Sequence, residues 1–557
     1  MKKLLRKYKQ IIVFILLLNS GPVAFSQTPA GTPLLRPARD NSFTEISRSN
    51  LFVGVPKTIS TFETISLELP FKGDGNRDAY CDVKFRKKGD ANWRDGLRLF
   101  NDYITDEKGF RGSIVLLQPD TDYDIRLIYN DVDGGSGEKT MSAKTWSERF
   151  PVGKLTKVKN RKTTIKVESG SPGAYHVYDG GSKKALVDAN NTPYCIDLGG
   201  ASYVIIRNLK LTGSDKHAIN IQNANHIVIE DCEIFEWGRP GEYCQIDNRG
   251  RRDGAVYVET SKQIVVQHNN IHDPRGNTCD WRIAHPNGPR GIYLNDTVDN
   301  SVFRYNKIAG SEKHYYDDLI TGDTDGSGSD LDIYGNIISH AWDDGIEIEG
   351  KNKNIRVWNN VVRHVFQGLA SDNNTHMYYG PAYIWRNIFT DLYSKPANPG
   401  EKSTGNGFKL ENTAALGGMY IFNNTFLNHG VHVRPNGGIS NGPQYNLTVL
   451  NNIFDIEKDN FHADLVRTGS MFNYNGYAGS NKLFEKTNHE ANGIFNDKFK
   501  YDFAGGWNYY LAPGSKGIDA GISINNFADK FDGKAPDLGA AEKGVWDIRV
   551  GPHADKK

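Results

Sequence analysis

Cysteine and methionine are scarce, five of each in 557 residues, and no two cysteines stand in a Cys-x-x-Cys pair. Five thiols cannot staple a chain of this length, which excludes a disulfide framework, and the missing paired spacing excludes a zinc ribbon or finger. Long apolar runs are missing too. The run from Ile11 to Leu18 has eight residues, whereas a helix needs ~20 to cross a bilayer, so no stable membrane insertion is expected. Neither sign of charge dominates, with 67 basic and 66 acidic side chains. A nucleic-acid partner, which would demand a basic face, is not expected.

The basic start MKKLLRKYKQ, that apolar run, and Ala24-Phe25-Ser26 before Gln27 form the pattern of a signal peptide over residues 1–26. Its removal takes away five basic residues and no acidic one, moving the net charge from +1 to −4. No cysteine follows the cleavage point closely, so no lipid anchor is expected. The mature chain is expected to be secreted or periplasmic, and monomeric.

Glycine is plentiful, 58 residues, and so is asparagine, both of which tolerate turn backbone. Many turns and short strands follow, and a mainly helical protein does not. After a linker (27–49), residues 50–147 form a separate unit. There, Leu117-Gln118-Pro119-Asp120-Thr121-Asp122-Tyr123-Asp124-Ile125-Arg126-Leu127 is a turn followed by alternating apolar and polar residues, the pattern of a half-buried strand. It resembles the end of a fibronectin type III sandwich, in which a Tyr anchors the corner entering the penultimate strand.

From residue 160 to 480 the chain repeats. Val204-Ile-Ile-Arg-Asn208, Ile227-Val-Ile-Glu-Asp-Cys232, Val265-Val-Gln-His-Asn269, Val302-Phe-Arg-Tyr-Asn306, Leu331-Asp-Ile-Tyr-Gly-Asn336, Ile355-Arg-Val-Trp-Asn-Asn360, Tyr383-Ile-Trp-Arg-Asn387, Tyr420-Ile-Phe-Asn-Asn424 and Leu447-Thr-Val-Leu-Asn-Asn452 share one plan, a short strand running into Asn. Steps of 24 to 37 residues are too irregular for a propeller or a helical solenoid. They predict an all-β fold, a right-handed parallel β-helix in which coils stack at ~4.8 Å and the asparagines stack at the turns. Cys232 takes an Asn position and is expected as a buried turn residue. Cys244 and Cys279 lie in insertions of neighbouring repeats, where they can pair. Residues 481–557 are expected to close the solenoid.

Each coil has another strand, seen in Gly291-Ile-Tyr-Leu-Asn295, Leu319-Ile-Thr-Gly-Asp323, Gly345-Ile-Glu-Ile-Glu349, Gly368-Leu-Ala-Ser-Asp372, Gly407-Phe-Lys-Leu-Glu411 and Gly430-Val-His-Val-Arg434. Side chains alternate faces, so two outward columns follow. One reads Tyr293, Thr321, Glu347, Ala370, Lys409, His432. The other reads Asn295, Asp323, Glu349, Asp372, Glu411, Arg434. Asp317-Asp318 and Trp342-Asp343-Asp344 precede them, one coil apart. Carboxylates stacked at ~5 Å repel, so they bind a cation, take up protons or meet a basic neighbour. Tyr293, Tyr315, Tyr316, Trp342 and Tyr378 would suit stacking against sugar rings.

Here the chain resembles the calcium-dependent pectate lyases of the ninth polysaccharide lyase family. The matching stretches are Asp343-Asp344-Gly345-Ile346-Glu347, with Asp317 or Asp318 one coil earlier, and Gly405-Asn406-Gly407-Phe408-Lys409-Leu410. The resemblance implies Ca²⁺ on Asp317, Asp318, Asp343, Asp344 and Glu347, and Lys409 as Brønsted base, with His432 as a substitute and Arg434 steadying the charge that develops. Tyr293, Asn295, Trp342, Asp323, Asp372 and Glu411 would line the path of an anionic polysaccharide. The chain departs from the family in one coil, Val365 to Asp372, inserted between acids and base, which predicts a metal-to-base separation of ~10 Å along the axis. Two other readings stay open. Glu347 and Glu349, ~6.6 Å apart on one strand face, suit an inverting glycoside hydrolase aided by Asp343 and Asp344, and the long polar face suits a non-catalytic glycan-binding protein.

Overall fold

The computed structural model describes residues 50–555 apart from 104–106, 245–251, 280–282, 323–327, 351, 372–379, 393–404, 411–416, 428–438, 441–445, 456–468, 481–483, 485–486, 504–505 and the side chains of 439–440. Among the described residues there is no α-helix.

The N-terminal unit is a sandwich of two antiparallel sheets. One runs Phe52–Val53, Ile65–Lys72, Gly109–Ile114, Phe100–Asp102, with Lys57–Ser60 beside Ile65–Lys72; the other runs Arg94–Asp95, Tyr80–Lys87, Asp122–Asn130, Gly137–Lys144. Their alternating strands send Leu67 and Leu69 from one side, and Val83, Phe85 and Ile125 from the other, into a common core. Tyr123 closes the corner, its hydroxyl accepting the Gln118 N–H at 2.8 Å.

Parallel pairing then runs unbroken through thirty strands, from Val152–Lys157 to Gly476–Tyr477. Each strand pairs with its counterpart one coil away, as Val204 to Ile206 do with Ile227 to Ile229, giving the predicted parallel β-helix. Stacked Ile, Val and Leu fill the bore from Ile196 to Phe472. Among them Ile346 and Ile348 point inward, as the alternation predicts.

The asparagines form a continuous ladder. Asn269, Asn306, Asn336, Asn360, Asn387, Asn424, Asn452 and Asn475 are each fully buried. Each donates its side-chain N–H to the Oδ1 of the next at 2.9 to 3.1 Å. Each Oδ1 also accepts a backbone N–H of the preceding coil, so the amides of the ladder are all met. Cys232, a buried free thiol, stands at the start, its N–H bonded to Asn269 Oδ1 at 2.9 Å. Glu490 ends the series, accepting from the Asn475 side chain and the Tyr477 hydroxyl, both at 2.6 Å.

The strands that run into Asn are apolar on both sides, and the sandwich explains why. Outward Val177, Ile205, Val228, Val265 and Val302 belong to one buried cluster with Phe62, Leu97 and Val115 of the sandwich. Between these layers lies a fully buried ion pair, Arg356 to Asp332 at 2.5 Å. Thr61 and Thr64 donate to Asp332, and Ser66 and Ser113 accept from Arg356. Hydrogen bonds to both charges make a buried pair tolerable, and only part of the guanidinium is met, Arg356 Nη2 having no partner.

Candidate active site

The carboxylates sit where the chain turns a corner into the third face of the coil. Gly345 is needed there because a Cβ would stand 2.4 Å from Val362 Cγ1 and 2.8 Å from Gly368 O. A register shift between Ala341 and Asp344 adds a residue to the strand Ile337–Ile348. Such a bulge re-aims side chains, and here consecutive Asp343 and Asp344 both enter the cluster. Two triads result, His285 with Asp317 and Asp343, and Asp318 with Asp344 and Glu347, each with ligand atoms within 4.8 Å of one another.

The acids of these triads point away from the bore, yet they are not exposed, whereas His285 is. Asp317, Asp318, Asp343, Asp344 and Glu349 are all at most 4 % exposed. Burial is the main cause that drives Asp318, Asp343 and Glu347 well above the carboxylate range; Asp317 adds to it at Asp318, Asp344 at Asp343 and Glu349 at Glu347. Asp344 is raised as well, by burial and against the pull of Lys409.

Arg290, absent from the expected site, is its central cation. Its guanidinium lies 3.2 Å from Asp317 and 3.1 Å from Asp318, with 4.6 Å from the Tyr293 ring centroid to Cζ. Burial opposes its charge, but Asp318 and Asp317 outweigh burial and hold it firmly protonated. Gly288 N–H donates to Asp317 at 2.7 Å, and His285 approaches Asp343 at 3.9 Å. Residues 285 to 290 thus form a cover, and the disulfide Cys244–Cys279 braces it, with Cys279 Sγ against the carbonyls of Ala284 and His285. One signal was available. Arg290 stands immediately before Gly291 as Asp344 stands before Gly345, so a column read one residue earlier would have contained it.

Lys409 is close to the acids, contrary to the ~10 Å expected from coil height. Its Nζ lies 3.9 Å from Asp344 and 3.7 Å from Glu349. The register explains this. Glu347 pairs with Ala370 and Ala370 with Lys409, and the inserted coil offers only a methyl group at this position, leaving room for the lysine to reach back across it. Thr321, one coil in the other direction, donates to Glu347.

The last step of the outward column differs from expectation. Lys409 pairs with Ser440, which takes the place expected for His432; the chain from Leu410 to Ile439 is too long for the spacing to locate the next strand. His432 itself, with Arg434, Asp323, Asp372 and Glu411, lies outside the described residues. Asn295 is drawn away from the acids, donating to Glu259 at 2.7 Å and to the Tyr257 hydroxyl at 3.0 Å. Tyr293 is buried and meets the site through Arg290. Trp342 remains partly exposed and stacks on Tyr315 with centroids 4.0 Å apart. Tyr316 is fully buried against Trp237, so no sugar can stack on it.

Comparison with known proteins agrees with this architecture. The family model described as the right handed beta helix region matches residues 189–454. The fold is a right-handed parallel β-helix. Among solved structures, an alginate lyase from Paenibacillus sp. strain FPU-7 is similar at 14% identity over 51% of this chain and 86% of that one, with a TM-score of 0.33. A pectate lyase from Paenibacillus sp. 0602 is similar at 9% identity over 53% of this chain and 84% of that one, also with a TM-score of 0.33. No curated protein matches the chain.

Proposed function

We propose that this chain is a secreted β-eliminating lyase acting on an anionic, uronate-containing polysaccharide, on the plan of the ninth polysaccharide lyase family. The observation that carries this reading is the meeting of one buried ammonium with a buried carboxylate cluster on the same outer face, Lys409 lying 3.9 Å from Asp344.

The donor set fits a hard cation. Apart from His285 it is all carboxylate, and the Oδ1 atoms of Asp317 and Asp344 are sealed from water with no hydrogen-bond partner. Asp317, Asp318, Asp343, Asp344 and Glu347 would hold calcium, with Arg290 bonded to both Asp317 and Asp318. A calcium ion held there would supply positive charge to a uronate carboxylate, which would acidify the adjacent C–H. Lys409 would accept that proton at Nζ once it has given up its own to solvent. Burial works to strip Lys409 of its own proton, but Asp344, Asp343, Glu349 and Glu347 outweigh burial and keep the ammonium charged. The charge balance among the acids therefore decides when Nζ can accept. Trp342, resting on Tyr315, gives a partly exposed aromatic surface for a sugar ring.

A second reading has one observation in its favour. Burial and Glu349 push the Glu347 carboxyl well above the usual carboxylate range, the direction a general acid requires, so an inverting hydrolase built on this pair is the alternative. Near-ultraviolet absorbance and reducing-end assays on uronate, sulfated and neutral polysaccharides, with calcium or chelator, separate the readings. Chelator-sensitive absorbance supports the lyase, reducing ends without absorbance support the hydrolase, and binding without product supports a glycan-binding protein.

Export is read from residues 1–26, outside the described residues, together with the Cys244–Cys279 pairing, which calls for an oxidising compartment. The sandwich is read as a fibronectin type III-like brace, on its Tyr123 corner and its buried contact with the coils.

A further inference from the structure

We propose that the N-terminal sandwich carries a calcium site of its own, built by Asp74, Asn76, Asp78 and Asp131 at one end of the module. Asp74-Gly75-Asn76-Arg77-Asp78 places oxygen-bearing side chains at alternate positions of a tight loop, the spacing with which acidic loops wrap a hard cation. The loop joins Ile65–Lys72 to Tyr80–Lys87. Asp131 comes from the turn after Asp122–Asn130, and the carboxylates of Asp74, Asp78 and Asp131 offer oxygens within 4.8 Å of one another.

Proximity of acids alone would not make a site. The independent observation is Asp131, which is 4 % exposed and keeps its Oδ2 sealed from water with no hydrogen-bond partner, while its Oδ1 accepts the Asp133 N–H at 2.9 Å. Asn76 repeats the pattern. Its side-chain N–H donates to Asp133 at 2.6 Å, and its buried Oδ1 accepts nothing. Leaving a buried carboxylate oxygen unmet costs several times what an ordinary hydrogen bond contributes, and a cation removes that cost at both atoms. The other parts of the loop are already set, since Asp74 accepts the Asp78 N–H at 3.0 Å and the Tyr103 hydroxyl. Arg77, the basic residue within the loop, has its guanidinium over the Tyr103 ring, 5.3 Å from the centroid. The ligands are all oxygen and include a neutral amide, which selects calcium over softer metals, with an affinity on the order of 10⁻⁴ to 10⁻³ M as in extracellular modules.

The test uses the full chain carrying Asp344→Asn, so that the carboxylates beside Lys409 are disabled. After chelation, calcium is titrated calorimetrically and the melting temperature is followed. One equivalent is expected to bind and to raise the melting temperature by several degrees, and adding Asp131→Asn, which keeps the acceptor for Asp133, is expected to weaken binding at least tenfold and cancel the shift. Equal affinity and an equal shift with and without Asp131→Asn would overturn the proposal, and so would no binding in the Asp344→Asn chain. Should the double variant fail to fold, terbium emission excited through tyrosine serves instead. It should fall severalfold on Tyr103→Phe, and unchanged emission refutes the site. Loss of polysaccharide cleavage has no bearing on any of these readouts, so the two proposals fail separately.

Discussion

Lys409 reaches across Ala370 to bring its ammonium to 3.9 Å from Asp344, two coils away. The gap between them is one methyl group wide, and the contact exists because the inserted coil puts its smallest chiral residue at that position.

Removing the amine should therefore remove the chemistry. Lys409→Ala is expected to lower kcat by ~10²–10⁴, the usual worth of general base catalysis, with the fold retained. Lys409→Arg should be nearly as inactive, since guanidinium stays charged and cannot take up a proton. Initial rates of near-ultraviolet absorbance decide this; rates within threefold of the parent for both variants would assign the base elsewhere.

Filling the gap should act like removing the amine. Ala370→Ile puts a branched side chain between Glu347 and Lys409, and overpacking of a buried position costs about 1–3 kcal/mol. Stability should fall by that amount in a urea titration and activity by more than tenfold, and an active Ala370→Ile enzyme would mean that Lys409 need not span the coil.

Arg290 should matter for stability before catalysis. Its ion pairs with Asp317 and Asp318 are buried on both sides, and removing one partner of such a pair strands the other, at a cost of about 3–5 kcal/mol. Arg290→Met should show that loss in urea, and calcium should restore part of it, because a cation again offsets the carboxylates.

The sequence was most legible where one residue repeats at every coil. Eight of the nine Asn or Cys positions, from Cys232 to Asn452, marked the ladder, while Asn208 bonds to Asp179 instead, and strand alternation placed Tyr293, Thr321, Glu347, Ala370 and Lys409 in one outward column. It failed where side chains or insertions cross coils. Ser440 replaced His432 because a long connection hides the next strand, Arg290 went unseen because its role depends on two acids from the next coil, and outward aspartates proved buried because residues 285 to 290 fold over them. Local periodicity specifies which way a residue points, and says nothing of what is laid over it.

Glu490 makes stability depend on pH. Burial raises its pKa to about 7 from a normal 4.5, against the hydrogen bonds of Tyr477 and Asn475. The unfolded chain ionises first and the folded chain holds its proton longer, so the contribution is whole below pH 4.5, declines as pH rises toward 7 and is absent above. It amounts to on the order of 3 kcal/mol. Glu490→Gln should flatten this part of the urea-midpoint curve between pH 4.5 and 7.5; curves that stay parallel would show that Glu490 titrates normally.

The asparagine ladder also governs how such a molecule can change length. Every rung makes the same bonds to the rung above and below, so a whole coil can be spliced in without altering the bonding of either neighbour. The separation of two groups on the outer face can thus change only in whole coil heights, and intermediate distances must come from side chains. The residue across an inserted coil then decides whether two groups still meet, and here that residue is alanine.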